Sequence, residues 1–424
     1  MEKKSFKKLQ PGAFKRIAAI VRFGEKATNM LFPIASHRWC KGQWKVRGKT
    51  VLSFITALWV SCTFVSCGGG NSGSAPSSEP VLKFAIMGDT SLGAADSSQY
   101  PSSCNIPQLK RTIRDIASLS TPPAISFLTG DLVLNFADDQ GQTLAAELDA
   151  WQAAYLSMWG ADHFELVPLV GNHESDIYDV VLNAQYPNPS IYAVWMDWIA
   201  RNRYDRYAGS GPTPSGDNPD FLVKDERYFS YSFTLKGVCF IIVNTDTLSS
   251  ILDPATSKPY AGWIPLHWIE DELIRAQANA SVSHIFVIGH RPIEAPSWTT
   301  QASSTPILNN AAYPLATGLA NAMKSFSKVR GYIGSHVHAQ DMTRLQGGAG
   351  VWQIVSGNAG APFDSNWDPA GGKYFGFMVV NVYGGGTVSV VNYWRPAPPE
   401  PQKYYEESPV PPPAAVPGAE IIIN

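Results

Sequence analysis

Six short apolar runs recur along the body of the chain, each bounded by glycine and polar residues. They are Val81–Met87, Ala124–Thr129, Phe164–Val170, Val238–Asn244, His284–Gly289 and Tyr332–Gly334, each about the length of a buried strand. Between the first two, Ile106, Leu109, Ile113 and Ile116 fall at the spacing of an amphipathic helix, and Thr143–Trp159 reads as a second helical stretch before the third run. Strand, helix, strand, helix, strand predicts an α/β sheet with parallel pairs. The stretch from Pro187 to Asp225, rich in Pro, Gly, Asn and aromatic residues, reads as a long loop region. It forms either a lid or wall over a site or a packed surface insertion. Nothing repeats at a fixed period, which argues against solenoids and propellers.

The two ends of the chain have a different texture. Residues 1–50 carry 13 Lys and Arg against 2 Asp and Glu, and residues 51–66 carry no charge. A basic head, an apolar run too short for a comfortable transmembrane helix and then small residues make a secretory leader over 1–66. Val65-Ser66-Cys67-Gly68 has the form of a bacterial lipobox, in which Cys67 is lipidated; the alternative is an uncleaved signal anchor. Either arrangement puts the body outside the cytoplasm, in the cell envelope and tethered to a membrane. Residues 67–80 are too polar to fold and read as a flexible tether. A folded domain is expected over 81–395, followed by an extended Pro-rich tail over 396–424.

Composition narrows the classes further. With 424 residues, 45% of them hydrophobic, and 13 Trp, 17 Tyr and 19 Phe to bury, full-length disorder is excluded. A mean hydropathy of −0.09 and a single long apolar run exclude a polytopic membrane protein. Beyond the leader the chain is acidic, with 20 basic against 33 acidic residues, which disfavours nucleic acid as a partner. Of five cysteines, Cys104 and Cys239 belong to the folded body; a disulfide between them and two free thiols are both compatible with the sequence.

Five of the runs end in residues able to hold a metal. They deliver Gly88-Asp89, Gly130-Asp131, Gly171-Asn172-His173-Glu174, Gly289-His290 and Ser335-His336-Val337-His338. Four of the eight histidines in the chain fall in these places. Parallel strands bring their C-terminal ends to one edge of a sheet, and a glycine before the ligand lets the chain turn sharply there. Histidine, carboxylate and carboxamide donors suit iron, manganese or zinc. His163, His267 and His284 have no such surroundings and read as structural or surface residues, while Arg291 reads as a surface salt bridge or a phosphate contact.

In order and spacing these motifs resemble the calcineurin-like metallophosphoesterases, whose pattern runs D-x-H, GD, GNH-[ED], H, GH-x-H. The resemblance covers about Val81 to Asp341, and Tyr228–Asp246 is similar to the family's mid-domain hairpin. It implies a four-layer α/β/β/α sandwich with mixed sheets, hydrolysing a small-molecule phosphate ester with two metal ions. Carried over, Asp89 and His338 would hold the first metal, Asp131 would bridge, and Asn172, His290 and His336 would hold the second. A water or hydroxide between the metals would attack. His173 would assist the leaving oxygen, with Glu174 orienting it.

Two departures concern the first metal. Ser91 stands where the family has His, and Leu134 stands where the purple acid phosphatase branch has Tyr; Asn135 is the first candidate for a replacement ligand. Weakened ligation gives a rival reading, a degenerate member that binds phosphate or metal without efficient turnover. A second rival, an envelope adhesion or scaffold protein, fits the tether and tail but leaves the five motifs unexplained.

Overall fold

The computed structural model describes residues 79–92, 103–135, 142–158, 164–179, 184–296, 298–299, 306–346, 350–396 and 414–424. The expected leader, Cys67 and nearly all of the tether lie outside them.

Every expected strand is present. β1 (Leu82–Met87), β2 (Ile125–Leu128) and β3 (Glu165–Pro168) pair in parallel, joined by α1 (Ile106–Ala117) and α2 (Gln142–Leu156). Asn105 caps α1 by accepting from Gln108 N, and Pro107 sits in the first turn, where its missing N–H costs nothing. The one-turn helix α3 (Asn172–Ser175) leads into the small hairpin β4 (Asp176–Asp179) and β5 (Ala184–Pro187).

The region expected as a loop contains a helix, α4 (Pro189–Arg201), and a 3-10 turn over Tyr204–Tyr207. Asn188 caps α4, Pro189 opens it, and Ile191, Tyr192, Trp195, Trp198 and Ile199 bury one face. Trp198 meets Trp151 of α2 edge-on at 6.0 Å between centroids. Proline and aromatic content mark this segment as irregular, but the proline stands at the one helical position that favours it. Residues 189–201 are therefore a packed layer and not a free lid.

β6 (Tyr231–Leu235) and β7 (Val238–Ile242) form a hairpin through Lys236-Gly237, both at positive φ. Then follow α5 (Leu266–Ala278), β8 (His284–Ile288), α6 (Leu315–Lys324), β9 (Val329–Gly334), β10 (Gln340–Arg344), β11 (Trp352–Ser356), β12 (Tyr374–Val382), β13 (Val388–Pro396) and β14 (Val416–Ile422). One sheet runs β14-β13-β12-β1-β2-β3 and the other β10-β11-β9-β8-β7-β6, each mixing parallel and antiparallel pairs. Phe84, Phe127, Phe240, Phe286, Ile333 and Val380 pack between the sheets. One outer core joins the first sheet to α1, α2 and α4, and another joins the second sheet to α5 and α6. The fold is therefore a four-layer α/β/β/α sandwich with mixed sheets.

The chain past 395 departs from a simple tail. β14 pairs antiparallel with β13, and buried Ile423 joins the inter-sheet core. An apolar Ile-Ile-Ile segment at the C-terminus satisfies its backbone by adding to a sheet edge. Cys104 and Cys239 are both buried and are not joined in a disulfide. Among the described residues no helix is long and apolar enough to cross a membrane.

Candidate metal centre

The five motif loops converge at one end of the sandwich. Asp89, Asp131 and Asn172 follow β1, β2 and β3 of one sheet; His290 and His336 follow β8 and β9 of the other, and His338 precedes β10. The donor atoms of Asp131, His290 and His336 all lie within 4.8 Å of one another, as do those of Asp89, Asp131 and His338. Asp131 is common to both groups.

Local backbone shape makes this convergence possible. Asp89, Asp131 and His336 all adopt left-handed φ, at 56°, 52° and 67°. Such conformations are costly for non-glycine residues and cluster at functional sites. Gly130 has φ 91°, and a Cβ on it would lie 2.6 Å from His290 Nδ1. A Cβ on Gly171 would lie 2.3 Å from Asp131 Oδ1. The β2 and β3 loops can approach each other only because both positions lack a side chain.

The second group is compact. His290 Nε2 lies 2.9 Å from Asn172 Oδ1, 3.2 Å from Asp131 Oδ1 and 3.1 Å from His336 Nδ1. Adjacent donors around an octahedral cation with bonds of about 2.1 Å are about 3.0 Å apart, so the four atoms fit such an ion. His290 Nδ1 sits 2.8 Å from the Thr129 carbonyl, which turns Nε2 toward the cluster. Burial opposes charge on His290, but the carboxylates of Asp131 and Asp89 prevail and hold its pKa up to about 9. Burial also disfavours a charged Asp131, yet His290 and His173 beside it leave its carboxyl well below the ordinary range.

The first group is looser. His338 Nδ1 is 2.7 Å from the Pro362 carbonyl, and its Nε2 faces Asp89 Oδ1 at 3.6 Å. Asp89 is fully buried; Oδ2 accepts from His336 N at 2.9 Å, while Oδ1 has no hydrogen-bond partner. Burial pushes the Asp89 carboxyl well up. An orphaned carboxylate oxygen beside an imidazole nitrogen is the arrangement a cation would complete. Ser91 is buried, its N–H donating to the Asp131 carbonyl at 3.1 Å. Leu134 is buried too, and the Asn135 amide nitrogen is turned to the His173 carbonyl.

His173 stands beside the cluster. Its N–H donates to Asp131 Oδ1 at 3.1 Å and its Nε2 is 3.8 Å from Asp131 Oδ2. The side chains of His173 and His338 are 23% and 22% exposed, against 0% for His290, so the centre opens to solvent on the His173–His338 side.

Glu174, expected to orient His173, does something else. Its carboxylate accepts from Asp131 N at 2.9 Å, Gly171 N at 2.9 Å and Val133 N at 3.2 Å. It clasps the β2 and β3 loops together through their backbones. Burial and the adjacent Asp131 charge raise its pKa to about 8 against the Val133 and Gly171 N–H donors and the nearby His290.

Arg291 corrects a second expectation. It is 3% exposed, so it is neither a surface salt bridge nor open to substrate. Its Nε meets both Asp246 oxygens at 2.8 Å, Nη2 faces Asp176 at 3.6 Å, and Nη1 lies 3.1 Å from His336 Nε2. Sequence reasoning missed Asp176 and Asp246 altogether. Both flank motifs, Asp176 two residues past Glu174 and Asp246 two residues past the Val238–Asn244 run, but nothing local distinguishes them from turn residues. Of the histidines read as structural, His284 is buried at the start of β8, where burial lowers its pKa to about 4. His267 is largely exposed beside Asp220, and His163 lies outside the described residues.

No family model matches the sequence, and the search of curated proteins found no match. Among solved structures, the chain is similar to a purple acid phosphatase from seeds of yellow lupin (Lupinus luteus), at 16% identity and a TM-score of 0.47. That alignment covers 76% of this chain and 52% of the other, so the chain spans about half the length of the lupin protein. A dimetal phosphatase from Danio rerio aligns at 12% identity and a TM-score of 0.42, covering 74% and 96% of the two chains. PhoD aligns at 13% identity and a TM-score of 0.43, covering 82% and 70%. Likenesses this distant assign no residue a role, and the reading of the centre rests on its own geometry.

Proposed function

We propose that this protein is a metal-dependent phosphoric-ester hydrolase of the calcineurin-like metallophosphoesterase type. The observation that carries this reading is the pair of donor groups sharing Asp131. Asp131, Asn172, His290 and His336 would hold one cation, and Asp89, Asp131 and His338 the other, with iron, manganese or zinc suited to the donor set. Two such cations, when bound, supply Lewis-acid activation of a water and of phosphoryl oxygens.

The chain's own groups would do the rest. Asp131 keeps the two positions together, and Glu174 fixes the loops that carry it. His173, at the solvent-facing edge, would give its proton to the leaving oxygen as the P–O bond breaks and the electron pair passes to that oxygen. The substrate would be a small phosphate ester reaching the centre from the His173–His338 side.

The test is metal analysis of the purified body together with a panel of phosphate mono- and diesters. Two cations per chain and hydrolysis lost on chelation are expected. For His173→Ala, retained metal with a rate lowered by about 10²–10⁴ is expected. Two retained cations without hydrolysis of any ester would favour the second reading, a binding protein, for which the three-residue first group and Ser91 speak.

We also propose that the body is tethered outside the cytoplasm through lipidated Cys67. Cys67→Ser should release the protein from the membrane fraction; a variant that stays membrane-bound with residues 1–66 intact would identify a signal anchor instead.

A further inference from the structure

The turn that follows β2 grips His173 at both ends of its backbone. Asp131 Oδ1 accepts the His173 N–H at 3.1 Å, and four residues on, Asn135 Nδ2 donates to the His173 carbonyl at 2.8 Å. α3 is a helix of four residues. So short a helix has almost no internal hydrogen bonding to hold its shape, and its carbonyls need partners from elsewhere.

Asn135 is itself anchored. Its N–H donates to Glu147 Oε2 on α2 at 2.9 Å, and Glu147 Oε1 accepts from Ser103 Oγ at 2.8 Å. Ser103, Asn135 and Glu147 are all buried. Asn135 adopts φ 40°, a conformation that asparagine tolerates better than most residues. Since a carbonyl only accepts, the amide must present its NH₂ to His173. That leaves Asn135 Oδ1 buried without a partner. The amide is thus oriented by its bond to His173 and by nothing else among the described residues.

We infer that Asn135 is a positioning residue for His173, held in place by Glu147, and that it sets the angle from which the imidazole reaches the leaving oxygen. This rests on the reading above in which His173 protonates that oxygen. Asp131 alone is a poor anchor, because its carboxylate also faces His290 and is the shared donor of both metal groups. Among the described residues the Asn135 side chain has no other hydrogen-bond partner.

The test compares Asn135→Gly with the wild-type protein. Glycine keeps the N–H to Glu147 and accepts positive φ, so only the side chain is removed. Cations per chain should stay the same. The kcat for an alkyl phosphate, whose leaving oxygen needs a proton, should fall about tenfold or more at unchanged KM. The kcat for a dinitrophenyl phosphate, whose leaving group departs unprotonated, should fall far less. In metal-free protein labelled with ¹³C-histidine, the His173 ring signal, identified by its loss in His173→Ala, should broaden or shift. Equal loss with both esters, or no loss with the alkyl ester, would overturn the inference, as would an unmoved His173 signal. If wild-type protein hydrolyses neither ester, the proposed function fails, and the ring signal still decides whether Asn135 holds His173. Should Asn135→Gly not fold, Glu147→Gln, which loosens the same anchor at constant size, is read by the same two measures with the same outcomes.

Discussion

Arg291 Nη1 lies 3.1 Å from His336 Nε2, behind the candidate metal centre, while the same guanidinium holds both oxygens of Asp246. A guanidinium only donates, so His336 Nε2 is directed at Arg291 and its Nδ1 is the nitrogen facing His290. One buried cation therefore faces two acidic side chains, pairing closely with Asp246 and more distantly with Asp176, and sets the orientation of a candidate ligand.

Removing that cation should be costly. Arg291→Leu strands Asp176 and Asp246, at 0% and 1% side-chain exposure, without a counter-charge. A loss of about 3–5 kcal/mol in unfolding free energy is expected by denaturant titration. Adding Asp246→Leu should recover part of it. Single and double variants of equal stability to the wild type would show that the cluster contributes nothing.

Asp131 should be the residue on which metal content depends most, because both donor groups use it. Asp131→Asn is expected to reduce bound metal by at least one ion per chain and to bring hydrolysis close to background. Elemental analysis after gel filtration checks the first, and a variant with full metal content would contradict the shared role.

Ser91 should make the two binding steps unequal. In the second group Asn172, Asp131 and His336 each place a donor 2.9–3.2 Å from His290 Nε2, whereas in the first Asp89 and His338 stand 3.6 Å apart. Titration of Mn²⁺ into stripped protein should resolve a tight and a weak step. Ser91→His should tighten the weak one by about tenfold, the scale on which outer-shell and ligand changes act. The demand is space: Ser91 is buried and bridges to Cys104. Two equal steps in the wild type would point to another ligand.

Glu226 should make stability fall as pH rises. It is fully buried, Asn244 Nδ2 donates to Oε2 at 3.1 Å, and burial raises its pKa from 4.5 to about 8. Below about pH 4.5 both folded and unfolded chains hold the proton; between 4.5 and 8 only the folded chain does. The unfolded state releases it, so its contribution to stability is lost through that window. Glu226→Gln, which mimics the protonated acid, should flatten the decline of melting temperature between pH 5 and pH 8. An unchanged slope would show that Glu226 is ionised in the fold.

Six strands, β1, β2, β3, β7, β8 and β9, and the polar residues that follow five of them were legible because each signal is local. A run of apolar residues, a glycine and then a donor lie within ten positions, and the chain geometry of β1, β2, β3, β8 and β9 follows from that text. α1 was legible for the same reason, its buried face being spaced at helical period. What holds the donors in place was not legible. Glu174 binds backbone some 40 residues away, Arg291 meets His336 and Asp246 each across 45, and His336 N reaches Asp89 across 247. Such partners are chosen by packing two sheets together, and a buried arginine or glutamate reads in the sequence like any surface charge. α4 and β14 were obscured in another way. Proline marked both neighbourhoods as irregular, yet at the first turn of a helix and beside a sheet edge proline is tolerated. Only contact with α2 and with β13 decided that those segments are ordered. The sequence determined which groups the centre contains, because ligand chemistry belongs to residue types. Tertiary structure alone decided how they are oriented and charged, because orientation and pKa depend on neighbours that the chain brings together only when it folds.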